Sequence, residues 1–363
     1  MTSTIGVDVS SMAGRRTGIG RATGLLVERM VQAAPDLRFV GILRKMLGSR
    51  PVASGRRMRT VRLRLPRVAE PAIRALHLVE RFVSADLYHA TDFYLPISRR
   101  SRSICTVHDV LFLSDPEPAM PDHRRLRRWA PEFIRRSELV IVPSNYSRGE
   151  AVKWTGVDPS RVAVTPWGCS PEWRPSVDPE RTRREVQSRL GVRGPYFLTA
   201  SCSVGRKNTV AVLAAFSAAS SRGCSAELVV VWSPPDDVRS KFRSDRIHFI
   251  PWQSDAELLQ LYQGAICFLW GTRAEGFGFP VLEAMACGVP VICSGRTSLP
   301  EVGGDAPVYV DPDDVDGISD AILRLADASE LRRRMAVMGV ERVKAFSWDS
   351  CARATVDAYR RCL

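Results

Sequence analysis

Two glutamates, Glu275 and Glu283, stand with seven residues between them, and Gly276 and Gly278 lie in that interval. Glycines let a backbone come close to an anion. Glu283 is placed to accept hydrogen bonds from a ribose, and Glu275 to hold a sugar hydroxyl. Acids are favoured near any helix start by about 0.3–1 kcal/mol each, so the two carboxylates alone weigh equally for a structural role and for ligand binding. Two further residues add chemistry. Lys207 follows Gly205-Arg206, at a turn where a lysine neutralises a diphosphate as a point charge. His108 follows a short apolar run, Ser103–Val107, and a histidine that ends a strand of an open parallel sheet stands where ligands bind. A lone histidine is nonetheless more often structural.

The elements that must position these groups are visible around them. Ile266–Trp270 is a short apolar run expected to form a buried strand. Gly271–Phe279 has three glycines and two charges and reads as a loop. Pro280 suits the first position of a helix, where its missing N–H costs nothing. Val281, Leu282, Ala284, Met285 and Ala286 continue that helix, and Gly288 followed by Pro290 ends it. Val289–Cys293 is the next strand. A strand, a glycine loop and a helix in this order present unpaired N–H groups to an anion, and Phe279–Leu282 are the expected donors.

The whole string WGTRAEGFGFPVLEAMACGVPVICS resembles the signature of retaining glycosyltransferases of family 4, which have the glycosyltransferase-B fold. The resemblance implies that Gly276, Phe277, Gly278, Phe279, Pro280, Val281 and Leu282 line a nucleotide-sugar donor. It implies that Glu283 holds the ribose and that Glu275 and His108, the latter in TVHDV, stand at the reacting sugar. Arg206–Asn208 resembles the family's phosphate-binding RKN, with Lys207 and Arg206 at the diphosphate. The family's usual glycine and arginine upstream of this lysine are Ser201 and Cys202 here. After Ile247–Ile250 the family has a turn that reads the base. It usually begins with glycine; this chain has Pro251, and Trp252 as a stacking platform. Gly18, Gly20 and Arg21 in SMAGRRTGIGR resemble the family's first glycine-rich turn, beside donor and acceptor, and HATDFYLP resembles a family segment that turns His89 toward the cleft. TSLPE and Gly303–Ala306 resemble a segment near the phosphates.

The chain has 363 residues, enough for two domains, with 45% hydrophobic and 25% charged residues. No apolar run approaches the roughly 20 residues of a membrane span, and the N-terminus reads as a first strand rather than a signal peptide. Nine scattered cysteines without a CxxC pair point to reduced thiols in the cytoplasm. The five histidines lack metal-ligand spacing. The expectation is therefore no metal and no cofactor, the nucleotide-sugar being a substrate. The net charge is +13, and all of the surplus lies in residues 1–170, with 28 Lys+Arg against 15 Asp+Glu; residues 171–363 carry 24 of each. A basic half suggests an anionic partner. No nucleic-acid-binding signature is present. The six arginines of Pro121–Ser137 suggest a membrane surface of anionic lipid, and so peripheral attachment on the inner face. An Arg-rich composition from coding bias is the plain alternative.

Strands and helices alternate through both halves. The fold class expected is α/β, two doubly wound Rossmann-like domains facing a cleft: an acceptor-side domain over 1–170, a linker over 171–190, a nucleotide-sugar domain over 191–346, and a helix over 347–363 that returns to the first domain. Finer expectations are a helix over Pro71–Val83 and one starting at Ala22 after a loop Ser11–Arg21. A strand is expected over Arg59–Pro66. The resemblance implies a glycosyltransferase moving a hexose onto a hydroxyl of a glycan or lipid-linked acceptor in cell-surface polysaccharide synthesis. Similarity to bacterial mannosyltransferases of family 4 favours GDP-mannose as donor. The rivals are a UDP-hexose enzyme of the same fold, an epimerase or phosphorylase on this architecture, and a non-catalytic binding or scaffold protein.

Overall fold

Short runs of β-branched and aromatic residues, such as LVIV at 139–142 and ELVVV at 227–231, are buried along their whole length. That pattern belongs to parallel strands covered by helices on both faces. The computed structural model describes residues 2–13, 18–44, 58–63, 70–114, 121–200 and 205–363. They form two compact units, Met1–Gly168 with Ser347–Leu363, and Cys169–Phe346.

The first unit runs β1 (Thr4–Asp8), α1 (Gly18–Ala33), β2 (Arg38–Arg44), β3 (Met58–Leu63), α2 (Glu70–Ala75), α3 (Leu78–Phe82), β4 (Leu87–Ala90), β5 (Ser103–Thr106), α4 (Leu111–Ser114), α5 (Pro121–Arg136), β6 (Leu139–Val142), α6 (Asn145–Thr155) and β7 (Val162–Val164). Its strands pair in parallel in the order β3-β2-β1-β4-β5-β6-β7. The order reverses direction between β1 and β4. Ile73, Val79, Tyr88, Phe133 and Ile134 fill the core on one face of this sheet.

The second unit runs α7 (Pro179–Leu190), β8 (Tyr196–Ala200), α8 (Thr209–Ser221), β9 (Glu227–Val231), α9 (Asp236–Lys241), β10 (Ile247–Ile250), α10 (Asp255–Gly264), β11 (Cys267–Trp270), α11 (Phe279–Ala286), β12 (Val291–Ser294), α12 (Leu299–Gly303), β13 (Val308–Val310), α13 (Val315–Asp327) and α14 (Ser329–Val343). Its parallel sheet has the order β10-β9-β8-β11-β12-β13, reversing between β8 and β11. α15 (Trp348–Cys362) belongs to the first unit, where it packs on α1 and buries Tyr359. Both halves are thus Rossmann-like, as expected.

Several local expectations need correction. α1 begins at Gly18 rather than Ala22, so Gly18, Gly20 and Arg21 form its first turn instead of a loop. Helix starts tolerate residues of low propensity because the first turn closes few intrahelical bonds. Residues 14–17 of the expected loop lie outside the described residues, as do 64–66 of the expected strand and Ser201 and Cys202. The helix expected over Pro71–Val83 is two short ones, α2 and α3. His77 sits between them with φ 53, a left-handed value that interrupts the ladder of hydrogen bonds. In the stretch 171–190, α7 is helical over Pro179–Leu190, capped by Asp178 Oδ1, which accepts from the Arg181 N–H at 2.9 Å.

Candidate active site

Apart from Trp252, the residues singled out in the second unit lie on the connections that leave the point where its strand order reverses. β8 leads into the turn Gly205–Lys207, and β11, hydrogen-bonded beside it, leads into the loop 271–278. In an open α/β sheet this is where a crevice forms beyond the strand C-termini. The two connections are tied together. Thr272 Oγ1 donates to the Arg206 carbonyl at 3.0 Å, the Arg273 N–H donates to the same carbonyl at 2.8 Å, and Asn208 Nδ2 donates to the Gly271 carbonyl at 3.1 Å and to Pro312 O at 2.6 Å.

On this frame Lys207 Nζ lies 2.5 Å from Glu275 Oε1, and Arg206 Nη1 lies 3.2 Å from Glu275 Oε2. Burial pushes the Glu275 carboxyl upward. The charges of Lys207 and Arg206 and their hydrogen bonds outweigh this and hold it below the usual carboxylate range. The group is ionised at neutral pH. Arg206 also donates from Nη1 to the Ala274 carbonyl at 2.8 Å. The Lys207 ammonium sits 4.8 Å from the centre of the Trp270 ring.

The loop that carries Glu275 is fixed from α12. Thr297, itself at φ 61, accepts at Oγ1 from the Glu275 N–H at 3.1 Å. Ser298 Oγ donates to the carbonyls of Glu275 and Phe277, 2.8 and 2.9 Å away. Gly278 has φ 113, and a β-carbon there would stand 2.5 Å from Leu299 Cδ2, so this position requires glycine on both counts. α11 then starts at Phe279, with Pro280 in its first turn. One expectation about this helix changes. Pro280 has no N–H, and the Val281 and Leu282 N–H groups donate to the Gly278 carbonyl. Any anion at this end therefore meets the chain N-terminal to Pro280, not over Phe279–Leu282 as a whole. Glu283 is buried in the second turn of α11. Trp252 follows β10 and is 72% exposed, an open ring face at the same edge of the sheet.

In the first unit, His108 follows β5 and is buried. Its Nε2 lies 2.8 Å from the Thr91 carbonyl. A carbonyl only accepts, so Nε2 carries the proton and Nδ1 is a bare acceptor. Nδ1 is buried and has no hydrogen-bond partner among the described residues. Burial lowers the basicity of His108, against the opposing charges of Asp92 and Asp109 and the Thr91 hydrogen bond. Thr91 Oγ1 in turn donates to the Asp8 carbonyl at 2.5 Å. The strand ends of β1, β4 and β5 are thereby locked around the reversal point of this sheet. Phe93 and Trp167 flank the imidazole at 5.6 and 5.1 Å between ring centres.

His89 corrects an expectation. It does not line a cleft; it is fully buried, with Nδ1 2.6 Å from Tyr359 Oη and Nε2 2.8 Å from Thr106 Oγ1. Burial, then the charge of His108, pushes it down to about 3. It is a neutral core histidine that joins β4 to α15.

Three features at the strand ends escaped the reading of the sequence. The Asp8–Arg44 ion pair, 2.7 Å between Oδ2 and Nη2, draws on residues that look like ordinary strand termini. Trp270 looks like the last apolar residue of a core strand. The serine and threonine of TSLPE fell in a segment marked for its resemblance, but their role as clamps on the Glu275 loop depends on a long-range approach.

Two parallel doubly wound units, one with a carboxylate held by two cations where its strand order reverses, have the architecture of the glycosyltransferase-B fold. Comparison with known proteins gives the family. The model described as Glycosyl transferases group 1 matches residues 187–341, and that described as Glycosyltransferase Family 4 matches residues 18–173. The O-antigen chain mannosyltransferase B of Escherichia coli is 32% identical over 288 residues, covering 76% of this chain and 74% of that protein. The chain belongs to this glycosyltransferase family. Among solved structures, sucrose-phosphate synthase from Thermosynechococcus elongatus superposes with a TM-score of 0.78 at 18% identity, covering 99% of this chain and 98% of that one. Anabaena HepE, solved in complex with UDP and glucose, gives a TM-score of 0.73 at 16% identity, covering 99% and 100%. These two likenesses concern the fold. No described helix is long and apolar enough to cross a membrane.

Proposed function

We propose that the protein is a retaining mannosyltransferase that moves mannose from GDP-mannose to a hydroxyl of a glycan or lipid-linked acceptor. The observation that carries the donor site is the meeting of Arg206, Lys207 and Glu275 at the β8–β11 reversal. In this reading Lys207 and Arg206 meet the diphosphate and stabilise the charge that develops as the bond from the anomeric carbon to the phosphate oxygen breaks. The acceptor hydroxyl attacks the same face of that carbon, and its proton passes to the departing phosphate oxygen. Two protein cations supply the countercharge, so no metal is assigned a role. Glu283 holds the ribose, Glu275 a sugar hydroxyl, and the bare Nδ1 of His108 accepts from a sugar hydroxyl. Gly18, Gly20 and Arg21 lie on the acceptor side.

The base is assigned to Trp252. The end of β10 is two strand spacings from that of β8, roughly 10 Å, a span that suits a nucleoside between base and phosphate. The name of the Escherichia coli relative supports mannose, and with it guanine. Exposed arginines on α5 support an anionic membrane surface as the place where a lipid-linked acceptor is met.

Thermal shift with GDP, UDP, GDP-mannose and UDP-glucose, followed by turnover assays, tests the donor. GDP is expected to stabilise more than UDP, and GDP-mannose to be consumed. Stabilisation by UDP alone, with transfer only from UDP-glucose, replaces the mannose assignment by the UDP-hexose one.

A further inference from the structure

We infer that Trp270 is a positioning residue for the donor diphosphate, acting by seating the Lys207 ammonium on the face of its indole ring. The inference rests on the proposal that Lys207 meets the diphosphate.

Trp270 ends β11 and is 4% exposed. The plane of its ring is set by Phe268, stacked on it at 5.7 Å with 20° between planes. Lys207 Nζ stands 4.8 Å from the ring centre, and the lysine side chain is 15% exposed. A cation over an indole gains most when both are shielded from water, which is the situation here.

An ammonium has three N–H donors. Glu275 Oε1 takes one, and the ring face attracts the ion without claiming a directed hydrogen bond. Glu275 and an incoming diphosphate are both anions and compete for the same donors. The ring competes with neither. It holds the ammonium in place while the hydrogen bond to Glu275 is exchanged for one to phosphate. Without the ring, Lys207 is held by the carboxylate alone, and the diphosphate must both displace Glu275 and immobilise a long flexible side chain. Trp270 Nε1 is buried with no hydrogen-bond partner among the described residues. The ring is therefore not held in this orientation by a hydrogen bond of its own. That leaves the indole face as the part that acts on Lys207.

The test is calorimetric titration of whichever of GDP or UDP binds the wild type more tightly, on Trp270→Phe, Trp270→Leu, Lys207→Ala and the double variant. Trp270→Phe keeps an aromatic face and removes Nε1–H. Trp270→Leu is expected to weaken binding about 5- to 30-fold and Trp270→Phe by less than about 3-fold. In the Lys207→Ala background, Trp270→Leu is expected to add little. A Trp270→Leu variant that binds like wild type while Lys207→Ala loses affinity overturns the inference and leaves the phosphate role of Lys207 standing. So does an equal loss from Trp270→Leu with and without Lys207, which marks a purely structural residue, or an equal loss from Phe and Leu. Unchanged affinity in Lys207→Ala instead removes the reading on which the inference rests. If Trp270→Leu does not fold by circular dichroism, Trp270→Met, whose longer and more flexible side chain adapts better to the space left by the indole, takes its place in the same cycle.

Discussion

Lys207 and Glu275, one read as the partner of a phosphate and the other as the partner of a sugar hydroxyl, are bonded to each other at 2.5 Å. Each neutralises the other where a ligand of mixed charge would lie. The pair keeps a buried carboxylate ionised and a lysine oriented, at the cost of a contact that the donor has to open. Ion pairs of this kind gain little net stability because desolvation offsets attraction. Their value here is in orientation.

Glu275→Gln separates the two halves of that relationship. It removes the anion that competes for Lys207 and Arg206 and keeps a similar shape. Affinity for a nucleoside diphosphate is expected to rise or hold, by up to about 1.5 kcal/mol, while turnover falls at least about 100-fold. Calorimetry and steady-state kinetics read the two effects. A parallel fall of affinity and turnover shows that Glu275 supports the phosphate site rather than competing with it.

The imidazole of His108 belongs to the other unit and presents a bare Nδ1. His108→Gln is expected to leave diphosphate affinity within about 2-fold and to lower turnover about 100-fold or more, the usual size of a lost catalytic contact. Because burial lowers its pKa, His108 is neutral at pH 7, and turnover is expected to fall as pH drops and the imidazole takes up a proton. A variant with normal turnover makes His108 a structural residue that ties the end of β5 to the segment after β4.

How much of this was legible in the sequence follows from the range of the interactions. The unit Ile266–Ser294 was readable because glycine, proline and apolar period act within a few residues: β11, the loop, α11 and β12 lie where expected. His89 was misread because its partners, Thr106 and Tyr359, are 17 and 270 residues away. A histidine at the end of a strand looks the same whether α15 covers it or water does. The double hydrogen bond of Ser298 under the Glu275 loop was illegible for the same reason, since it depends on how α12 approaches a loop over 20 residues distant.

His89 makes folding pH-dependent. Its pKa is about 3 in the folded chain and 6.5 by default. Above pH 6.5 both states are neutral and the contribution is fully present. As pH falls from 6.5 toward 3, the unfolded chain takes up a proton that the folded one refuses, and stability is lost, with a slope approaching about 1.4 kcal/mol per pH unit. Urea unfolding at pH 7.5, 6 and 5 measures this slope. His89→Gln is expected to be less stable at pH 7.5 but to have a shallower dependence on pH. Identical slopes in both proteins place the titrating group elsewhere.

Five of the six arginines of α5 divide into two kinds, and the division yields a test of membrane attachment. Arg127 donates from Nε to the Phe112 carbonyl at 2.6 Å, and Arg136 donates from Nη1 to the Ser98 carbonyl at 3.1 Å while lying over Phe133. These two hold α5 to its own unit. Arg124, Arg128 and Arg135 are exposed, and the neighbouring α2–α3 segment carries Leu76 and Phe82 at 54% and 62% exposure. Exposed arginines suit an anionic lipid surface, to which each basic residue adds about 1 kcal/mol. Replacing Arg124, Arg128 and Arg135 by Gln is expected to reduce co-sedimentation with vesicles containing phosphatidylglycerol by at least about 30-fold in partition coefficient, with no loss of thermal stability. Replacing Arg127 and Arg136 is expected to lower the melting temperature instead. Raising salt should weaken vesicle binding of the wild type, since the attraction acts over a Debye length of roughly 10 Å at 0.1 M. Equal pelleting with neutral and anionic vesicles removes the electrostatic explanation, and leaves the basic surplus of the N-terminal half as a matter of composition.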